Sequence, residues 1–128
     1  MERMEKGEEA SFPPVLNETT TINDFKPWLS RDDMFLPGDA GDIYAKIIGA
    51  PSGMITAIVW IKEDSPKEVH HDEHERFLII EGTCDIHVED EIHQLIPGDF
   101  FEIPLHKNHI VKVTSTIPCK VILQRQAA

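Results

Sequence analysis

Residues that could do chemistry are concentrated in one stretch of the chain, residues 69–77. Its nine positions hold three histidines and three acidic residues, directly before the apolar run at residues 77–80. Imidazole nitrogens and carboxylate oxygens are common ligands of divalent transition metals. The stretch therefore predicts either a metal site or a solvated loop whose surface ion pairs contribute about 0–1 kcal/mol each.

The direction of each side chain distinguishes the candidate ligands, because alternate residues of an extended chain point to opposite faces. His71 and Glu75 are four residues apart and share one face, while His70 and His74 share the other. Glu75 also begins an apolar alternation that continues through Phe77, so its carboxylate is expected to face the core and to require a cation or hydrogen-bond donors. A metal ion would satisfy that requirement.

The elements that must position these residues are short β-strands. From residue 43 onward, apolar runs alternate with turn-type residues, which predicts an all-β sandwich or jelly-roll barrel. The predicted strands are residues 43–48, 54–62, 77–81, 84–88, 92–95, 100–103, 110–115 and 120–124. Several of them are apolar at consecutive positions, so both of their faces must be covered.

The histidine-rich stretch resembles the first motif of the cupins, which are small jelly-roll barrels. That motif reads G-x5-H-x-H-x3,4-E-x6-G, and Glu75 with the glycine that follows six intervening residues matches its end. With the shorter spacing, His71 takes the second histidine position and Val69 the first. With the longer spacing, His70 takes the second position and Glu68 the first. The sequence leaves both registers open.

A second stretch resembles the second cupin motif, G-x5-P-x-G-x2-H-x3-N. Gly98 and Pro104 match that motif, and His109 falls on its metal-binding histidine. Two positions differ, since His106 stands at the glycine position and Val113 at the asparagine position. The resemblance extends over residues 43–124, which is the whole predicted barrel.

The resemblance implies a cupin-type jelly-roll β-barrel with an N-terminal arm, holding a divalent iron, manganese, zinc, nickel or copper ion. The implied ligands are His71, Glu75 and His109, with His70 or Glu68 as the fourth. Histidines and a carboxylate around an ion with open positions are also the ligand set of non-haem iron oxygenases. We therefore expect a protein that binds a small molecule in its barrel. It is either a metal-dependent oxygenase or isomerase, or a non-catalytic cupin that binds or senses a small ligand without a metal.

The chain divides into three predicted segments. Residues 1–11 are charged and lack periodicity, which is typical of a mobile tail. Residues 12–42 contain several prolines, four aromatic residues and one short helical pattern at residues 22–29, and they predict an arm that packs on the barrel or on a partner subunit. Residues 43–128 form the barrel domain. An arm of this kind leads us to expect a homodimer.

Composition excludes several classes of partner. The formal net charge of -11 repels phosphate backbones and anionic membrane surfaces, so we expect neither nucleic acid nor membrane as a partner. The first residues lack the apolar segment of a signal peptide, and a cytoplasmic location is expected. Cys84 and Cys119 lie in apolar, strand-like contexts and are predicted to be buried thiols.

Overall fold

The computed structural model describes residues 12–50 and 53–128, so the predicted tail at residues 1–11 lies outside the described residues. Ahead of the strands, a 3-10 turn at Ile22–Phe25 runs directly into the short helix α1, Lys26–Leu29. The helical pattern predicted there is confirmed. Within the described ranges, no helix has the length and apolar character needed to cross a membrane.

In the part of the chain that the structure describes, eight antiparallel strands follow, in agreement with the predicted number and order. The largest difference is at the start of the third strand, which begins at Glu73 because the backbones of Glu73 and His74 pair with Ala127 and Gln126 of the last strand. Their polar side chains gave no sign of this extension. The strands are β1 (Ile43–Gly49), β2 (Met54–Ile61), β3 (Glu73–Glu81), β4 (Cys84–Val88), β5 (Glu91–Leu95), β6 (Phe100–Ile103), β7 (His109–Val113) and β8 (Cys119–Ala127).

The strands form two sheets that pack face to face, as the predicted jelly roll requires. One sheet has the order β1-β2-β8-β3-β6 and the other has the order β5-β4-β7. Among the described residues no strand pairing joins the two sheets, so the barrel is not closed. The core between the sheets is apolar and comprises Ala57, Val59, Ile61, Phe77, Ile79, Cys84, Ile86, Val88, Leu95, Ile103, Val111, Cys119 and Val121.

An irregular segment, residues 63–69, lies beside the outer edge of β7 and extends the smaller sheet. It pairs with β7 through two isolated bridges, Asp64 with Lys112 and Glu68 with His109. The segment then bends and leads into β3 in the opposite sheet. The chain between Glu68 and Glu73, which includes His70 and His71, therefore crosses from one sheet to the other at the mouth of the barrel.

The N-terminal arm covers the outer face of the larger sheet. This packing explains why strands of that sheet are apolar at consecutive positions, since one set of side chains faces the other sheet and the alternate set faces the arm. The arm contributes Leu16, Phe25, Trp28 and Met34 to a second apolar cluster, and the sheet contributes Ile48, Ile58, Trp60, Leu78 and Ile122.

A buried glutamine on β8 connects the arm to the sheet. The side chain of Gln124 accepts a hydrogen bond from the backbone N–H of Leu16 at 2.7 Å and donates one to the carbonyl oxygen of Pro14 at 2.7 Å. Its amide nitrogen also lies 3.1 Å from the hydroxyl of Thr56 on β2. The arm is thus held by directional contacts as well as by apolar packing.

Both cysteines are buried free thiols, as predicted. Contact with the Cys119 thiol, together with burial, raises the pKa of Cys84 well above its ordinary value. Because Cys84 and Cys119 are 1% and 0% exposed, we expect neither thiol to react with a water-soluble aromatic disulfide in the folded protein at pH 8. Absorbance of the released thiolate would measure the reaction, with both thiols reacting once the chain is unfolded in urea. Rapid reaction of one thiol in the folded protein would contradict this burial.

Candidate metal centre

Two of the candidate ligands are brought together by backbone pairing at the mouth of the barrel. The N–H of Glu68 donates to the carbonyl oxygen of His109 at 2.9 Å, and the N–H of His109 donates to the carbonyl oxygen of Glu68 at 2.8 Å. Glu75 lies across the barrel on β3. The sheet order and the bend after residue 70 thus bring together residues that are distant along the chain.

Four side chains converge here, and we call Glu68, His70, Glu75 and His109 the four-residue cluster. Each offers one nitrogen or oxygen atom, and all four atoms lie within 4.8 Å of one another. Oε1 of Glu75 is 3.2 Å from Nε2 of His70 and 3.3 Å from Nε2 of His109. Oε1 of Glu68 is 3.6 Å from the first of these nitrogens and 3.8 Å from the second.

These separations suit a divalent ion. Metal bonds to histidine nitrogens and carboxylate oxygens are about 2.0–2.2 Å long, so neighbouring ligand atoms around one ion lie about 3–4 Å apart. The four distances between the histidine nitrogens and the carboxylate oxygens all fall near that range. Two nitrogens and two oxygens are also a donor set that first-row transition metals accept. The residues present therefore fit a metal.

Glu75 is the most buried carboxylate of the cluster, with 2% of its side chain exposed. Burial alone would raise the pKa of Glu75, but its contacts with His109 and Arg125 outweigh that effect and hold the pKa below its ordinary value. Nε of Arg125 donates to Oε2 of Glu75 at 2.8 Å. Oε1, the other carboxylate oxygen, faces the two histidines, so one oxygen is held by arginine and the other points to the cluster centre.

His109 is almost completely buried, with 3% of the residue exposed. Its Nε2 faces Glu75, while its Nδ1 is buried and has no hydrogen-bond partner in the part of the chain that the structure describes. A partner on Nδ1 normally fixes which ring nitrogen carries the proton. Among the described residues no such partner is present, so burial rather than a hydrogen bond to Nδ1 holds the His109 ring with Nε2 toward Glu75.

The structure does not bring His71 to the cluster, although parity predicted that it would face Glu75. Nδ1 of His71 instead lies 2.8 Å from Nδ1 of His106, and the two exposed rings stack with centroids 5.1 Å apart. His70 takes the place next to Glu75. The reason is a bend at residues 71–72, which breaks the extended alternation on which the parity argument depended. The longer motif spacing, with His70 and Glu68, therefore describes the geometry.

The other histidines lie outside the cluster. His74 contacts Glu102, and His93 contacts Glu91, each as an exposed or half-exposed pair. His106 has a left-handed backbone with φ of 68°, at the position where the second cupin motif has glycine. Glycine adopts this conformation without cost, so the motif position explains the backbone although the residue differs.

A small cavity opens beside the cluster and is lined by Glu68, Glu75 and His109. Its volume is about 220 Å³. Arg125 lies on the same wall, a residue that the sequence analysis missed because the predicted last strand ended at residue 124. Leu123 on β8 faces the cavity, and alternate residues of a strand face the same way, so extending the predicted strand by one residue would have placed Arg125 there too. The apolar walls comprise Ile43, Val59, Ile61, Pro66, Phe77, Val111 and Leu123.

Comparison with known proteins shows which family the chain belongs to. The sequence pattern of the cupin domain matches residues 56–124. A cupin-2 domain containing protein from Shewanella frigidimarina is 19% identical, with a TM-score of 0.61 over 85% of this chain and 95% of that one. The Cnp3 cupin domain of Schizosaccharomyces pombe has a TM-score of 0.64 at 10% identity, covering 70% of this chain and 67% of that one.

A third structure, plu4264 protein from Photorhabdus luminescens, is 20% identical, with a TM-score of 0.61 over 75% of this chain and 88% of that one. Identities this low establish the fold and nothing about the ligand. No curated protein matches the chain significantly. The matched residues run from β2 into β8 and contain the whole four-residue cluster. The chain is a member of the cupin domain family.

Proposed function

We propose that this protein binds one divalent first-row transition metal through the four-residue cluster and holds a small molecule in the adjoining cavity. The convergence of two imidazole nitrogens and two carboxylate oxygens at the mouth of the barrel carries the proposal. Iron, manganese, zinc, nickel and copper are all compatible with these donors. The cavity gives a bound molecule direct access to the cluster.

We assign different roles to the residues of the cluster. A bound ion would supply Lewis acidity, and redox chemistry if it were iron, manganese or copper. His70, Glu75 and His109 are the more buried members and would hold the ion, while Glu68 is 40% exposed in its side chain and is the ligand that solvent reaches most easily. The apolar walls would exclude water from the bound molecule. This arrangement supports a metal-dependent oxygenase or isomerase.

A second candidate is a cupin that binds a small ligand without a metal. The observation in its favour is the ion pair between Arg125 and Glu75, which already supplies a cation to the buried carboxylate. A carboxylate satisfied in this way does not depend on a metal to remain buried. The two candidates differ in metal content and share the cavity.

Elemental analysis of protein made without a polyhistidine tag tests between them. After incubation with each metal and exhaustive dialysis, we expect about one ion per chain in the wild type and almost none in His109→Ala. His93→Ala is the matched control, because His93 lies on β5 away from the cluster and its loss should leave the metal content unchanged. A metal content near zero in the wild type and in both variants would support the metal-free candidate.

A further inference from the structure

We propose that the small molecule is an organic carboxylate, with its carboxylate on the guanidinium of Arg125 and its apolar body in the 220 Å³ cavity. The inference rests on the proposed function, because it concerns the ligand of the same site. Three independent features support it: the unused donors of Arg125, the charge of the cluster, and the size and polarity of the cavity.

Arg125 is anchored at one edge and open at the other. Its Nε donates to Oε2 of Glu75 at 2.8 Å, which fixes the plane of the guanidinium. Its Nη2 lies 4.0 Å from Oε1 of Glu68, too far for a hydrogen bond. Within residues 12–50 and 53–128, neither terminal nitrogen of Arg125 makes a hydrogen bond. The free fork of N–H donors matches the two oxygens of a carboxylate.

Charge at the site favours an anion once the metal is bound. Glu68 and Glu75 contribute two negative charges and Arg125 one positive charge, so a divalent ion changes the local sum from about -1 to about +1. A monoanion would then neutralise the site. Glu73 lines a surface pocket together with Arg125, but Glu73 is exposed and its charge is screened by water. A neutral ligand would gain none of this attraction.

The cavity limits the size and the polarity of the ligand body. Since water occupies about 30 Å³ per molecule in the liquid, a cavity of about 220 Å³ holds about seven non-hydrogen atoms. Most of the other lining residues are aliphatic or aromatic, as in Val59, Phe77 and Leu123. These limits describe a short branched or linear acid. Isovalerate, with five carbons and two oxygens, is a suitable probe.

Calorimetric titration of the zinc-loaded protein with isovalerate, and separately with its neutral amide isovaleramide, tests the inference. Hydrogen bonds between two charged groups are about twice as strong as those to a neutral group, so the acid should bind at least about tenfold more tightly than the amide. Arg125→Gln should remove that preference, in samples whose zinc content is measured and brought to one ion per chain by adding zinc. Arg76→Gln is the matched control, since Arg76 lies one residue from Glu75 and contacts Gln126 and Glu102 outside the cavity.

The outcomes separate the ligand inference from the metal proposal. Equal affinity for acid and amide in the wild type, no binding of either probe, or an Arg125→Gln variant that still prefers the acid would each overturn the inference. The comparison of the two probes on the wild type does not depend on the variant folding. If zinc does not bind but the metal-free protein still prefers the acid through Arg125, the metal proposal fails and the ligand inference holds.

Discussion

Replacing His70 with alanine is expected to weaken divalent-metal binding by about 100-fold or more, whereas His71→Ala should change it by less than about twofold. Nε2 of His70 lies 3.2 Å from Oε1 of Glu75, so its loss removes one of four ligands. The neighbouring His71 points to His106 instead. Competition for Zn²⁺ with a chromophoric chelator measures both affinities.

This pair of variants is matched in chemistry and differs by one position along the chain. Each removes one imidazole, so general effects of histidine content cancel. The reverse order of effects would show that His71 occupies the ligand position in solution and that the bend at residues 71–72 rearranges when metal binds. Equal and small effects of both variants would mean that the ion does not bind in this cluster.

Trp28→Ala is expected to lower the free energy of unfolding by about 3–5 kcal/mol, because it leaves a large cavity in an apolar cluster. Trp28 is 6% exposed and packs against Phe25, with ring centroids 5.8 Å apart. Both residues belong to the cluster between the arm and the outer face of the larger sheet. Urea unfolding followed by far-ultraviolet circular dichroism measures the change.

Phe35→Ala is the control for that experiment, since Phe35 also belongs to the arm and is 63% exposed. Its loss should change the free energy of unfolding by less than about 0.5 kcal/mol. If Trp28→Ala were as mild as Phe35→Ala, the arm would not be part of the cooperative folding unit. The homodimer expected from the arm stays a prediction, and sedimentation of the wild type would measure it in the same samples.

The fold could be predicted because the strands are marked twice, by apolar runs and by turn residues between them. Gly82, which ends the first motif, shows why such markers are reliable, since its φ is +75° and an added Cβ would lie 2.7 Å from the carbonyl oxygen of Pro118. The turn therefore demands glycine. Polar strand ends carry no such mark, and for this reason the start of β3 at Glu73 was missed.

The site was only partly predictable. Glu75 and His109 could be predicted as ligands. Glu75 is a carboxylate within an apolar alternation, and His109 is a histidine that follows a turn of recognisable sequence. The choice between His70 and His71 depended on whether the chain is extended before β3, and a bend there reverses the parity. Arg125 was not predicted as a site residue, because it lies near the end of β8 and the predicted strand ended at residue 124.

The most direct test of a metal centre in this protein is X-ray diffraction from crystals grown with zinc, recorded on both sides of the zinc absorption edge. We expect one anomalous peak per chain, between Oε1 of Glu68, Nε2 of His70, Oε1 of Glu75 and Nε2 of His109. A peak between His71 and His106 with none in the cluster, or no peak at saturating zinc, would contradict the proposed site.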